Sequence, residues 1–311
     1  MNPLIVCITA CLCLTGCITY DETYAKSHSK VIANTPIVRL DLSGQNLTQP
    51  PENFETLLAL EVVDLSANPQ LNWNETLKKV CALPKIKTII LNHNKLTQLP
   101  SSITGCTNLQ GISLVNNPQL DFQSGLDLIS HLPINFVNLS NNLLTDLPKS
   151  LSKFHQLKDL RLSHNQVSSS SAFTPLVKNQ HLFSLWLDNN QLSAIPSSLF
   201  ELTQLGYLYL DNNHLNDLPN AFTQLRLRAV WLGHNEFTQI PDNLARSTVI
   251  MAFLNNNEIM SLGAEVEKGA FNLQGIILNY NRLSENQTEK AKALFSNAFI
   301  YQDDNQAYLQ E

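Results

Sequence analysis

Residues 182–196 read LFSLWLDNNQLSAIP, and the rest of the chain is organised around copies of this stretch. Its apolar residues fall at Leu182, Leu185, Leu187 and Leu192, with Asn190 beyond the last strand leucine and Ile195-Pro196 closing the unit. Residues 205–219, LGYLYLDNNHLNDLP, repeat the layout in register. Apolar residues on either side of Trp186 have the period of a short strand with one face buried. The proline of each Leu/Ile-Pro pair, at Pro100, Pro148, Pro196, Pro219 and Pro241, lacks an N–H and favours an extended or tightly turned segment over a long helix.

With the asparagine as a clock, the unit recurs at Asn68, Asn94, Asn117, Asn142, Asn165, Asn190, Asn213, Asn235, Asn257 and Asn281, and Gln45 holds the slot in one earlier unit. Successive gaps run from 22 (213 to 235) to 26 (68 to 94) residues. The unit resembles the leucine-rich repeat, L-x-x-L-x-L-x-x-N-x-L, whose period falls in this range. That resemblance implies an α/β solenoid of about eleven repeats over 36–283 with a parallel β-sheet on the concave face. Convex segments are expected to be short 3₁₀, α or irregular arcs, with longer helical pieces at Phe122 to His131 and Pro175 to His181. Each asparagine is expected to bind backbone groups where the chain leaves the strand, because an unpaired buried donor costs about 1–3 kcal/mol. A solenoid needs its ends covered. Ser284 and Gln287 have capping-box spacing, and Ala291, Leu294 and Phe295 share a face, so a C-terminal capping helix is expected within 284–311. Val31 to Ile37 offers a short apolar strand at the other end.

The first seventeen residues are different in kind. An apolar run of eleven residues, Leu4 to Leu14, is too short to cross a bilayer of about 30 Å as a helix and reads as a signal-peptide core in 1–16. Leu14-Thr15-Gly16-Cys17 resembles the lipobox of bacterial lipoproteins, which implies lipidation of Cys17, a polar tether over 17–35 and a place in the bacterial cell envelope. Ile18 rather than Asp after Cys17 implies the outer membrane. The chain carries no Lys or Arg before Lys26, a departure from the export signal whose alternative is an apolar N-terminus that stays attached; for location, the alternative is a secreted protein. Of the six cysteines only Cys81 and Cys106 lie in the repeats. Cys106 holds a core slot filled by Leu83 one unit earlier, and whether the two pair is left open by spacing alone.

A net charge of −6 with 15 % charged residues argues against nucleic acid and mildly favours a basic partner. In such a horseshoe the outward residue at the centre of each strand lines the inner wall. In order these are Asp41, Asp64, Ile90, Ser113, Asn138, Arg161, Trp186, Tyr209, Trp231, Phe253 and Ile277. Tyr207 and Met251 widen the aromatic part, and Tyr280 lies at its far edge. Four aromatic residues in a row, half hidden by each other, would expose about 300–500 Å², as much as the largest apolar patch of an ordinary monomer. Stacking for the sheet's own sake is one reading, at about 0.2–1 kcal/mol per pair. The other is an anchor for a protein or peptide, since interface centres are enriched in Trp and Tyr. Asp188 and Asp211 occupy equivalent slots beside the aromatics and repel unless a partner's Lys or Arg, or less readily a divalent cation, lies between them.

Catalytic patterns do not appear. His93, His164 and His234 share a slot three units apart, about 14 Å between successive members, too far to hold one metal. The sequence has no H-E-x-x-H, G-x-S-x-G or P-loop. The expectation is a non-enzymatic, monomeric protein-binding module without cofactor or metal, tethered through Cys17. The alternatives are a soluble translocated effector and a purely structural envelope protein.

Overall fold

The computed structural model describes residues 36–269, 271–295 and 299–301. The leader expected at 1–16, the whole tether from Cys17 to residue 35, all but two residues of the strand expected at Val31 to Ile37, and the last ten residues lie outside that range. Twelve three-residue strands form one parallel sheet in strict sequence order, from β1 (Arg39–Asp41) and β2 (Val62–Asp64) to β11 (Gly275–Ile277) and β12 (Phe299–Tyr301). The strands between are β3 (Thr88–Ile90), β4 (Gly111–Ser113), β5 (Phe136–Asn138), β6 (Asp159–Arg161), β7 (Ser184–Trp186), β8 (Tyr207–Tyr209), β9 (Ala229–Trp231) and β10 (Met251–Phe253). Parallel neighbours in strict sequence order, joined by arcs on one side of a sheet that stays open at β1 and β12, form a solenoid. The leucine-rich-repeat architecture expected from the spacing is the architecture found.

The leucines of the quoted unit, Leu182, Leu185, Leu187 and Leu192, are all fully buried, and their equivalents in the other coils form one continuous core. The asparagines form the column that holds coil to coil. Asn213 shows the pattern: its Nδ2 donates to the carbonyls of Leu187 (3.0 Å), Leu210 (3.0 Å) and Asp211 (3.2 Å), and its Oδ1 accepts from the Leu192 N–H (3.0 Å). Each ladder asparagine from Asn68 to Asn281 is buried. Removing one therefore strands several backbone groups at once.

The residue just before each ladder asparagine has a left-handed backbone, at ten consecutive positions from Ala67 to Tyr280, with φ between 52° and 58°. Asn and His tolerate this region better than most residues. That is the reason three histidines share the slot.

On the convex side, Pro100, Pro148, Pro196, Pro219 and Pro241 each stand immediately before a short helical arc, extended and with φ near its ring-fixed value. Four of those arcs are 3₁₀, and the fifth is the short helix α3 (Asp242–Ala245). Longer α-helices form at α1 (Trp73–Cys81) and α2 (Phe122–Ile129), where Asn72 accepts from the Glu75 N–H at 3.4 Å and Asp121 from the Ser124 N–H at 3.0 Å. Of the two helical pieces expected, the first is α2. The second is not α-helical: Ser170–Lys178 is 3₁₀, with Pro175 inside it, because proline removes the amide an α-helix needs there. Helix α1 was not anticipated, although it sits in the longest gap.

Cys81, the last residue of α1, and Cys106 in the next coil are joined by a disulfide, with Cα atoms 4.3 Å apart. Helix α4 (Glu285–Leu294) lies where the capping helix is expected. Ser284 accepts from the Gln287 N–H at 3.3 Å, Ala291 and Phe295 are buried, and Phe295 packs on Phe271 at 4.5 Å between ring centroids. From α4 the chain returns to the sheet as β12, parallel to β11.

Candidate functional site

Register alone brings the outward strand residues into one column. Asp41 pairs with Asp64, Asp64 with Ile90, Ile90 with Ser113, Ser113 with Asn138, Asn138 with Arg161, and Arg161 with Trp186. Trp186 pairs with Tyr209, Tyr209 with Trp231, Trp231 with Phe253, and Phe253 with Ile277.

Four rings in that column stack. Centroids are 3.7 Å apart from Trp186 to Tyr209, 4.0 Å from Tyr209 to Trp231 and 4.8 Å from Trp231 to Phe253, with interplanar angles of 13°, 16° and 4°. These spacings match or fall just inside the strand separation of about 4.8 Å. The rings therefore lie face against face along the sheet, and what points out of the concave wall is a ridge of ring edges. All four are partly buried by one another, so less of each is accessible than a row of isolated aromatics would offer.

Arg161 closes the stack at its N-terminal end. Its guanidinium carbon lies 4.5 Å from the Trp186 ring centroid and 5.4 Å from that of Phe136, with Asp159 Oδ1 3.7 Å from Nε. The cation is almost fully buried, compensated by a carboxylate and two π faces.

Tyr207 and Met251 share the other outward register, Tyr207 beside Ser184 and Ala229, and Met251 beside Ala229 and Gly275. Tyr207 meets Phe183 edge-on at 5.2 Å and lies 6.3 Å from Trp231, which carries the patch sideways from the column. Phe183 and Arg228, whose guanidinium sits 5.6 Å over the Phe183 ring, were not singled out from the sequence. A signal was present: a Cβ at Gly206 would stand 2.5 Å from the Phe183 ring, so glycine there marks an aromatic neighbour. Tyr280 stands on the turn after β11, exposed, and does not enter the stack.

Asp188 and Asp211 sit where the chain leaves β7 and β8, on one flank of the ridge. Asp188 accepts from the Ser163 hydroxyl (2.5 Å) and from Asn189 Nδ2 (2.9 Å), while Asp211 accepts from the Gly233 N–H (2.9 Å). Burial, with the neighbouring Asp188 charge adding to it against the Gly233 hydrogen bond, pushes the Asp211 carboxyl up to about 7. At the far end of the column Asp64 is also raised, chiefly by burial and further by Asp41, against hydrogen bonds from Ser66. Among the described residues no group of three or more His, Cys, Asp or Glu side chains is placed to hold a metal.

The ladder, the strand order and the core are those of a leucine-rich-repeat solenoid. Residues 180–237, the coils that carry most of the aromatic ridge, match the family described as Leucine rich repeat. Among solved structures, an internalin (inlF) from Listeria monocytogenes is similar at 21 % identity and TM-score 0.55, covering 86 % of each chain. TLR13 in complex with ssRNA13 is similar at 26 % identity and TM-score 0.63 over 83 % of this chain and 37 % of that one. Toll from Drosophila, in its complex with Spatzle, is similar at 22 % identity and TM-score 0.56, over 78 % and 36 %. The chain thus spans little more than a third of those two receptors. No curated protein sequence is matched.

Proposed function

We propose that this chain is a non-enzymatic protein-binding module whose working surface is the aromatic half of the concave sheet, held at the bacterial envelope through a lipid on Cys17. The observation that carries the binding reading is the run of four stacked rings at identical register positions, in a slot that the same sheet fills elsewhere with Asp, Ser and Asn. A sheet built on the same ladder does not need rings there, so another demand placed them. Trp186, Tyr207, Tyr209, Trp231, Met251 and Phe253 are the contact residues, with Asp188 and Asp211 setting orientation. Toll bound to Spatzle supports the general reading of such an array as a protein binder.

Export is supported by the Cys81–Cys106 disulfide, since such bonds persist in oxidising compartments. Lipidation rests on Leu14-Thr15-Gly16-Cys17. The soluble-effector reading is favoured only by the missing basic residue in the leader. Palmitate labelling and membrane fractionation of wild type against Cys17→Ser separate the two: label and membrane association lost with the serine support the anchor, and no label on wild type overturns it. For the binding face, cross-linked pull-down from envelope and host extracts is run with wild type, Trp231→Ala and Asn138→Ala. A prey lost with the first variant and kept with the second is expected. Equal recovery from all three makes the stack structural.

A further inference from the structure

We propose that the ligand of this face is a protein segment bearing a lysine or arginine, whose cation meets the carboxylates of Asp188 and Asp211 on the flank of the ridge while its apolar neighbours lie along the ring edges of Tyr209, Trp231 and Phe253. The proposal rests on the concave face being the binding surface, and adds the chemistry of what binds.

A Cβ at position 233 would stand 2.8 Å from Asp211 Oδ1 and 2.9 and 3.0 Å from the Asn255 amide nitrogen and oxygen, so these two side chains close over the glycine, and the Gly233 N–H holds Asp211 in place at 2.9 Å. Asp188, Asp211, Gly233, Asn255 and Asn279 fill the same slot of successive coils, two residues after Trp186, Tyr209, Trp231, Phe253 and Ile277. One flank of the ridge is therefore a row of oxygen acceptors. Its last member, Asn279, is 7 % exposed and has an Oδ1 with no hydrogen-bond partner.

Charge decides the sign of the ligand. Two carboxylates stand side by side in the row, no Lys or Arg among the described residues forms an ion pair with either, and one is largely buried. The opposite flank carries the exposed Lys158 and Arg228, in the slot just before the strands. A basic group approaching the face is repelled from that flank and drawn to the acceptors. Both faces of Trp186, Tyr209 and Trp231 are taken up by the stack and by Arg161, so over these three rings a cation finds the oxygens of the flank and not a π face. With two acids and neutral amides as the donor set, a singly charged N–H donor is better matched than a divalent cation.

The test uses a displayed library of random linear peptides selected on the full chain. Enriched peptides are expected to carry Lys or Arg beside apolar residues. At pH 8, where the Asp211 carboxyl is ionised, their affinity should fall about tenfold or more with Asp211→Asn, which removes charge at constant shape. Asp41→Asn, at the far end of the column, should leave it unchanged. Circular dichroism confirms folding, which the near-isosteric Asp211→Asn is expected to preserve. Peptides that need Trp231 but carry no basic residue, or that bind Asp211→Asn as well as wild type, overturn this inference and leave the binding face standing. Enrichment of no peptide sensitive to Trp231→Ala overturns both.

Discussion

From Asp41 to Asn138 the inner wall of the solenoid is a floor of small and polar side chains, and from Trp186 to Phe253 it is a ridge of rings, on one unbroken sheet. In the first region the side chains are short, and two of them are recessed: Ile90 is 2 % and Ser113 5 % exposed, while Asp64 and Asn138 are partly accessible and Asp41 is exposed. In the second the rings stand up far enough to be partly accessible despite stacking on each other. The buried asparagines and the leucines behind the sheet are the same in both. Whatever distinguishes the two halves is therefore carried by the outward side chains, and the scaffold is indifferent to it.

That indifference can be broken first at the core. Leu114→Ala in the floor half and Leu210→Ala in the ridge half should each lower stability by about 2–5 kcal/mol in urea unfolding followed by circular dichroism. A large loss in one half and almost none in the other would mean that the halves do not share a scaffold. The disulfide is the one covalent asymmetry among the described residues: Cys81–Cys106 lies in the floor half. Reduction, or Cys106→Ser, should cost about 2–4 kcal/mol and should be felt by fluorescence probes in coils two to five before those of the ridge.

Asp211 provides a pH-dependent difference. Its carboxyl is raised from 3.8 to about 7 in the fold, so the folded state holds a proton that the unfolded chain has released between those values. Stability linked to this group is full below the unfolded value and declines as pH climbs through about 7. Asp211→Asn should therefore be near neutral at pH 4 and stabilising by about 1–3 kcal/mol at pH 8, read from paired denaturation curves. A constant effect across that range would show that the carboxyl is not held protonated. The smallest effects sharpen the contrast most. Trp231→Ala should cost about 0.5–1.5 kcal/mol and Asn138→Ala less than about 0.5, although they occupy equivalent slots. A loss above about 3 kcal/mol at Trp231 would make the rings part of the framework.

Much of this was legible in the residues. The asparagine spacing fixed the coils, the alternation around Trp186 fixed which residues face inward, and the pairing register follows from the two together. Ser284 announced its helix by capping-box spacing, whereas α2 was expected from the lengthened gap, and the structure adds Asp121 as its cap. Asn72 caps α1 likewise, but Trp73, Leu77 and Val80 make too short an apolar stripe to stand out between two strands. At Ser170–Lys178 the long gap promised an α-helix, and Pro175 decided otherwise. The disulfide depends on α1 being helical, because the helix carries Cys81 to the coil boundary where Cys106 waits. The orientation of the rings was out of reach: it is set by side-chain torsions that neighbouring coils impose on each other, and no one repeat encodes it.

Because every ring from Tyr209 to Trp231 is gripped on both faces, and Trp186 is held further by its Nε1–H donating to Ser184 Oγ at 2.9 Å, these side chains have surrendered their torsional freedom at the folding step. A ligand arriving later has little rotamer entropy left to remove, which for long flexible side chains amounts to about 0.5–1.5 kcal/mol each. The wall thus meets its partner as a stiff template, and slow dissociation rather than adaptive closure is the behaviour such a surface favours.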